Sequence, residues 1–360
     1  MMILRLCLLA LVVLMCMACA GRAPLEKTVV DTVSPALTPI AESSQAPDPM
    51  KTSESIWPVL PADQKVIMGE IWAYVMQDEE AAYNSRLPVT DIGYFAAEIN
   101  STGDLRGIPD RARIKTDKVR VHLVCAQIGN YALSHLVLNP AYPKREQLIK
   151  GLVRASENFD GLQIDFESVL DTDKQSFLSF MSELKRGIGK RILSVAIPAR
   201  TAKTTEPFDY AALASICDRI IIMAYDEHWS GSKPGSVASL DWCAKVASFA
   251  LTQIPVHKLV MGLPFYGRSW TDKSLAKAYR HGTVSQIMKD LQLASYGRVS
   301  EVPFFEYAET VKVKVYFEDA YSNFVRSSLY RDRGVQRIAF WRLGQEDAAV
   351  WKHFGIGADR

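Results

Sequence analysis

The chain has 360 residues, a formal net charge of +2 and 48% hydrophobic residues. That length is ample for a large buried core, and the near-neutral charge removes the electrostatic case for a nucleic-acid partner. The six histidines, His122, His135, His228, His257, His281 and His353, form no HxxxH pair or other metal spacing, so neither a metal nor a cofactor is expected.

Taken in chain order, the first segment reads as a targeting signal. Residues 1–5 carry one positive charge, and residues 6–17 are apolar, too short for a membrane span and suited to a signal core. Cys16-Met17-Ala18-Cys19 resembles a bacterial lipobox with Cys19 as the lipidated residue, although Leu is usual where Cys16 sits. Ala18-Cys19-Ala20 also fits an ordinary cleavage site ending at Ala20. Either reading exports the chain. Residues 20–60 are rich in Pro, Ser, Thr and Ala, show no apolar periodicity and read as a disordered tether. The expected organisation is a signal over 1–19, a tether over 20–60 and one domain over 61–360. The lipidated reading anchors the protein to a membrane of the cell envelope, on its periplasmic or outer-surface side, and a monomer is expected.

From residue 70 onward, short apolar β-rich runs alternate with amphipathic stretches, the pattern of a parallel sheet with crossover helices. Eight strands are predicted, over 70–76, 91–97, 120–126, 159–167, 191–199, 219–225, 258–265 and 337–343. Leu148, Ile149, Leu152 and Val153 mark the helix before the fourth strand. Thr172-Asp173-Lys174-Gln175 reads as a capping box opening a helix with Phe177, Phe180, Met181 and Leu184 on one stripe. Ser239 is placed to cap a helix carrying Trp242, Val246 and Phe249. Gly187-Ile188-Gly189-Lys190 reads as a helix-ending turn. About seventy residues separate the last two strands, and Val311, Val313 and Val315 alternate with lysines, so at least one extra strand lies there. Cys125, Cys217 and Cys243 are widely spaced in apolar surroundings and read as buried free thiols.

The fourth strand carries the chemistry. In Phe159-Asp160-Gly161-Leu162-Gln163-Ile164-Asp165-Phe166-Glu167, the side chains of Gln163, Asp165 and Glu167 share one face. The Cα atoms of Asp165 and Glu167 are then about 6–7 Å apart, close enough for each carboxyl to perturb the other and for both to meet one sugar ring. The strand at 219–225 ends Met223-Ala224-Tyr225-Asp226, with Met223 and Tyr225 of one parity. The seventh strand runs into Leu263-Pro264-Phe265-Tyr266-Gly267-Arg268, and the eighth into Phe340-Trp341-Arg342.

Over residues 66–350 these motifs resemble glycoside hydrolase family 18, the chitinases and related N-acetylglucosaminidases, and within it the branch of bacterial spore-cortex hydrolases. The resemblance implies a (β/α)8 TIM barrel with a small α+β insertion between strands seven and eight, forming a wall of the substrate groove. It implies hydrolysis of β-linked N-acetylglucosamine glycans, of peptidoglycan or chitin type, with retention through an oxazolinium intermediate. Glu167 would be the general acid. Asp165 would hold the acetamido N–H, and Tyr225 would orient the acetamido oxygen. Gln163, Asp226, Met223 and Arg268 would bind substrate, and Trp341 would form the floor under the reacting sugar. Trp72 and Tyr74 on the first strand and Trp229 after the sixth are further candidates for lining the groove.

Gln163 departs from the family pattern, which has Asp at that position. An Asp there shares a proton with the next Asp, whereas Gln can only donate a hydrogen bond to Asp165. Asp165 is therefore expected to be ionised over a wider pH range. The alternative reading is a non-catalytic glycan-binding lipoprotein on the same barrel. Retention of Glu167, Asp165 and Tyr225 favours the enzyme.

Overall fold

The computed structural model describes residues 60, 63–271, 276–308 and 312–357. The signal, Cys19 and all but the last residue of the tether lie outside the described residues, as does Val311. Eight parallel strands close a barrel: β1 (Glu70–Met76), β2 (Asp91–Ile99), β3 (Arg120–Gln127), β4 (Gly161–Phe166), β5 (Ile192–Pro198), β6 (Arg219–Met223), β7 (Leu259–Pro264) and β8 (Arg337–Trp341). Each strand pairs with its neighbours in sequence order, and β1 pairs with both β8 and β2. The expected strands all form, with ends shifted by at most a few residues, where propensity is least informative.

Alternation along these strands sorts side chains into two cores. Outward-facing residues such as Ile164, Val195, Ile222 and Leu263 pack against the surrounding helices. Inward-facing Trp72, Tyr74, Val124, Ala196, Ile221, Val260 and Ala339 fill the barrel, with Phe95, Met223 and Trp341 above them. Below this plug, at the N-terminal ends of the strands, lies a charged layer. Glu70 accepts from Arg219 Nε at 2.9 Å, and Asp91 accepts from Arg120 Nε at 2.7 Å and contacts His122 Nε2 at 2.8 Å. Burial would raise the Asp91 carboxyl, but His122 and Arg120 hold it down to about 2.

The helices follow the sequence reading with one correction. Helix Lys174–Ile188 buries Phe177, Phe180, Met181 and Leu184 and ends at Gly189 with φ +66°. The capping box over 172–175 does not form. Thr172 lies within the short turn Asp171–Asp173, and Asp173, which precedes the helix, makes no bond to its first turn while its carboxylate lies 2.8 Å from His135 Nδ1. Ser239 caps helix Leu240–Gln253 by accepting from Trp242 N. Cys125, Cys217 and Cys243 are buried and free.

Between β7 and β8 stands a five-stranded antiparallel sheet. Its order is Lys277–Arg280, Tyr266–Thr271, Lys312–Tyr316, Val302–Ala308, Gly297–Val299, with helix His281–Asp290 packed on it. Val284, Phe305, Val313, Val315 and Phe317 give this insertion its own small core. Glu79, in the loop after β1, joins it to the barrel by accepting from Arg280 of the insertion at 2.6 Å and from Arg342 beyond β8.

Candidate active site

Catalytic groups of such barrels gather at the C-terminal ends of the strands. Glu167 follows the last residue of β4, and its backbone N–H donates to Gln127 O at 3.0 Å, so it is fixed by continuation of the β3–β4 ladder. Its side chain is exposed at the barrel mouth. One pleat deeper, Asp165 stands opposite Ala126 of β3 and is 5% exposed. Its Oδ1 is enclosed with no hydrogen-bond partner among the described residues.

Both carboxyls hold protons more tightly than usual. Asp165 is raised well above the ordinary aspartate range, first by burial and then by the charge of Glu167. Glu167 is raised by loss of solvation in the cleft and then by Asp226. Gln163 removes the repulsion an Asp there would exert, yet burial and Glu167 still raise Asp165. The Gln163 amide is turned elsewhere: Oε1 accepts from the Tyr74 hydroxyl at 2.7 Å, and Nε2 donates to Ser194 Oγ of β5 at 3.1 Å. A buried carboxyl with no donor to its Oδ1 favours its neutral form.

Tyr225 lies just beyond β6 among Tyr74, Tyr266, Asp165 and Glu167. Burial and these neighbours raise its hydroxyl well above the ordinary range, so it stays a proton donor. Gly262 of β7 makes room for its ring: a Cβ there would sit 3.1 Å from Tyr225 Cε1 and 2.8 Å from the Ile222 carbonyl. Met223 is half-buried in the same wall. Trp341 rises from β8, with its ring centroid 5.2 Å from Tyr74 and 4.9 Å from Phe95, the latter edge-on. Aromatic rings thus floor the centre of the mouth directly beside the carboxyls.

Asp226 takes a left-handed turn, φ +60°, that leads the chain out of the barrel. Its Oδ1 accepts from the Tyr266 hydroxyl at 2.6 Å and from Arg268 Nε and Nη2 at 3.0 and 2.8 Å. The insertion strand carrying both partners is thereby tied to the mouth. Trp229, 53% exposed, lies on the loop after Asp226, and that loop accepts a hydrogen bond from Trp270 of the insertion at Ser232 O.

Two expected groove residues are not in the groove. Trp72 is fully buried in the barrel, its Nε1 donating to Glu70 at 3.1 Å and its ring 4.3 Å from His122; it is part of the plug. Gln163 is also fully buried and reaches only protein groups. Tyr74 sits between these levels, 4% exposed, supporting Trp341 from beneath. The sequence reading passed over Ser194 and assigned no role to Tyr266, although Tyr266 stands in the quoted seventh-strand motif. It also missed a recess of about 500 Å³ beside Glu167, which includes Tyr131, Arg200 and Phe208. Tyr131 opens the helix after β3, whereas Arg200 and Phe208 share the loop after β5, and no motif joins them. A larger recess, about 800 Å³, opens at the opposite end of the barrel beside Glu70 and Arg120, away from the paired carboxyls.

Known proteins place this geometry. Residues 76–346 match the model of the glycosyl hydrolases family 18. The cortical fragment-lytic enzyme of Bacillus subtilis (strain 168) is 27% identical over 296 residues, 76% of this chain and 69% of the relative. The crystal structure of the Bacillus cereus spore cortex-lytic enzyme SleL superposes with a TM-score of 0.72 at 23% identity, covering 82% of this chain and 76% of that one. A chitinase of Cycas revoluta in complex with (GlcNAc)4 superposes with a TM-score of 0.66 at 18% identity, covering 79% and 97%. The last two likenesses speak for the fold, and the family match spans most of the barrel: the chain belongs to glycosyl hydrolases family 18 and is a glycosidase.

Proposed function

We propose that the protein cleaves β-linked N-acetylglucosamine glycans with retention, the substrate's own 2-acetamido oxygen attacking C1 to form an oxazolinium intermediate. The observation that carries this reading is the position of Asp165 and Glu167 side by side on one strand face, both holding protons tightly. A double-displacement enzyme needs its nucleophile across the sugar ring from the acid, and adjacent residues of one strand do not provide that. An internal nucleophile removes the need.

The sequence of events follows from the groups present. A sugar stacks on Trp341. Its acetamido N–H docks on Asp165 and favours the carboxylate form, since a hydrogen bond to the charged form lowers a pKa. The proton held by the pair then resides on Glu167, which faces the mouth and donates it to the glycosidic oxygen. Tyr225 donates its hydroxyl to the acetamido oxygen and aims it at C1. Asp165 stabilises the positive charge that develops on the acetamido group. Water, activated by Glu167, then opens the oxazolinium from the same face.

Peptidoglycan is the favoured polymer, supported by the cortical fragment-lytic relative. Export fits the same reading: residues 1–19 direct secretion, Cys19 carries the lipid, and residues 20–60 tether the barrel to the envelope membrane. The deciding experiment is digestion of purified peptidoglycan and of chitin oligosaccharides, with mass analysis of the products and a thiazoline analogue as inhibitor. Reducing-end N-acetylglucosamine products and competitive inhibition are expected. A covalent sugar ester trapped on Asp165 or Asp226 would overturn the mechanism. Intact mass of the mature chain tests the anchor, and an unmodified start at Gly21 would mean ordinary secretion.

A further inference from the structure

The recess beside Glu167 is bounded by segments after β3, β4 and β5, a different part of the barrel mouth from Tyr225, Arg268 and Trp341. Asp165, Tyr225 and Trp341 come from β4, β6 and β8, and the insertion wall with Arg268 follows β7. Tyr131, 53% exposed, and Leu170, 39% exposed, stand at its edge, with Phe208 among its apolar residues. Glu167 is among the residues of the recess, so a group lying there is next to the carboxyl that faces the mouth.

The recess has one guanidinium, that of Arg200, together with the carboxyls of Glu167, Asp171 and Glu206. Its Nη1 donates to the Ala199 carbonyl at 2.8 Å, and its Nη2 lies 2.6 Å from Glu206 Oε2. The two partners differ in access. Glu206 is 13% exposed along its side chain and Arg200 is 32% exposed. Glu206 Oε2 is enclosed and has no aligned hydrogen bond among the described residues. Glu206 is the more enclosed partner and fixes the guanidinium, and both residues line the recess. A planar guanidinium held this way suits oxygens of a carboxyl or of its amide.

We propose that this recess is a specificity site for a sugar next to the cleaved bond bearing a carboxyl-derived arm, the 3-O-lactyl group of N-acetylmuramic acid. Arg200 receives the carboxyl oxygens, and Phe208 and Leu170 receive the lactyl methyl. An unsubstituted N-acetylglucosamine has no group to reach Arg200. The inference rests on the glycosidase reading above and adds which substituent is inspected and by which residue. The arm enters the recess as the free carboxylate or as the amide that joins a stem peptide; both present oxygens to Arg200.

The test compares three substrates of equal sugar length: chitotetraose, an alternating N-acetylglucosamine–N-acetylmuramic acid tetrasaccharide with free lactyl groups, and the same tetrasaccharide carrying stem peptides. For the full chain, kcat/KM on at least one lactyl-bearing tetrasaccharide is expected to exceed that on chitotetraose about tenfold or more, as for loss of one charged hydrogen bond. Arg200→Gln should collapse that ratio toward one, and Arg200→Lys should restore part of it. The free and peptide-bearing arms show which form of the carboxyl is read. A ratio that survives Arg200→Gln, an equal loss on every substrate, or a wild-type preference for chitotetraose overturns the proposal. Dissociation constants measured in Glu167→Gln, with and without Arg200→Gln, keep the two readings separate. If no glycan is hydrolysed by the wild type, the glycosidase mechanism fails while a lactyl-dependent, Arg200-dependent difference in binding still supports the recess. Equal binding of all three overturns it.

Discussion

The Tyr74 hydroxyl donates to Oε1 of Gln163 at 2.7 Å, inside the barrel and one pleat below Asp165. Gly93 on β2 permits this, because a Cβ there would stand 2.6 Å from the Tyr74 ring. That bond and the one from Gln163 to Ser194 orient the amide, and Asp165 Oδ1 is left without a partner among the described residues. The acidity of the site is therefore set by burial and by the neighbouring carboxyls, and each has a measurable consequence.

Glu167→Gln removes the proton donor and keeps the size and shape of the side chain. The variant should fold as the wild type and lose about 10²–10⁴-fold in kcat, the usual contribution of a general acid. Glycan affinity should remain. Turnover near that of the wild type would place the acid elsewhere.

Asp226→Asn tests the second cause of the raised Glu167 pKa. Removing that carboxylate removes a repulsion on ionised Glu167, so Glu167 should lose its proton at lower pH. The basic limb of the kcat–pH profile should move toward acid. Asn tolerates the left-handed backbone at this position, so the turn should survive. A basic limb that stays in place would show that Asp226 does not act on Glu167 through charge, whatever happens to the rate.

Asp165→Asn should stabilise the protein at neutral pH. The folded-state pKa of Asp165 is raised, so the native state binds a proton that the unfolded chain releases. Its contribution therefore weakens as pH rises from the ordinary aspartate value through the raised one. Each unit of that shift is worth about 1.4 kcal/mol. The neutral amide removes this dependence. Melting temperatures of the two proteins should converge in acid and separate toward neutrality, with the Asn variant higher and inactive. A lower melting temperature at neutral pH would mean that Asp165 is compensated in a way its surroundings do not reveal.

Much of this arrangement was legible because period-two alternation is a local signal. The parity of Gln163, Asp165 and Glu167, and of Met223 and Tyr225, follows from strand geometry alone, and so does the placement of the eight strands. What sequence could not separate is depth along one inward face. Trp72 and Tyr74 share parity, yet Trp72 is drawn down to Glu70 and His122 while Tyr74 reaches toward Trp341. That difference is fixed by the charged layer at the barrel base, whose members come from β1, β2, β3 and β6. The capping box at 172–175 failed because Thr172 is taken up in the short turn Asp171–Asp173, so Asp173 and not Thr172 stands before the helix. The recess beside Glu167 was invisible because its edges meet only after three loops close over the mouth.

Gln163→Asp probes the level beneath the catalytic pair. An introduced carboxylate at this position would still accept from Tyr74, and the Ser194 hydroxyl, now an acceptor, can rotate to donate to it. Asp is one methylene shorter, so these contacts persist only with a shift of Tyr74 and Ser194, and the fold should be retained. Charge is what changes. A second buried carboxyl one pleat below Asp165 makes it costlier to ionise both, so one proton is shared between them and their titrations couple. Activity should remain, and the acidic limb of kcat/KM against pH should shift to higher pH or broaden. At neutral pH the like-charge pair should lower stability, and this loss should vanish in acid as the pair becomes protonated. The measurement is kcat/KM against pH for both proteins on one peptidoglycan fragment, with thermal melts at matched pH. Superimposable profiles with a pH-independent stability difference would show that residue 163 does not communicate with Asp165, and that the Tyr74–Gln163–Ser194 chain is purely a packing device of the barrel interior.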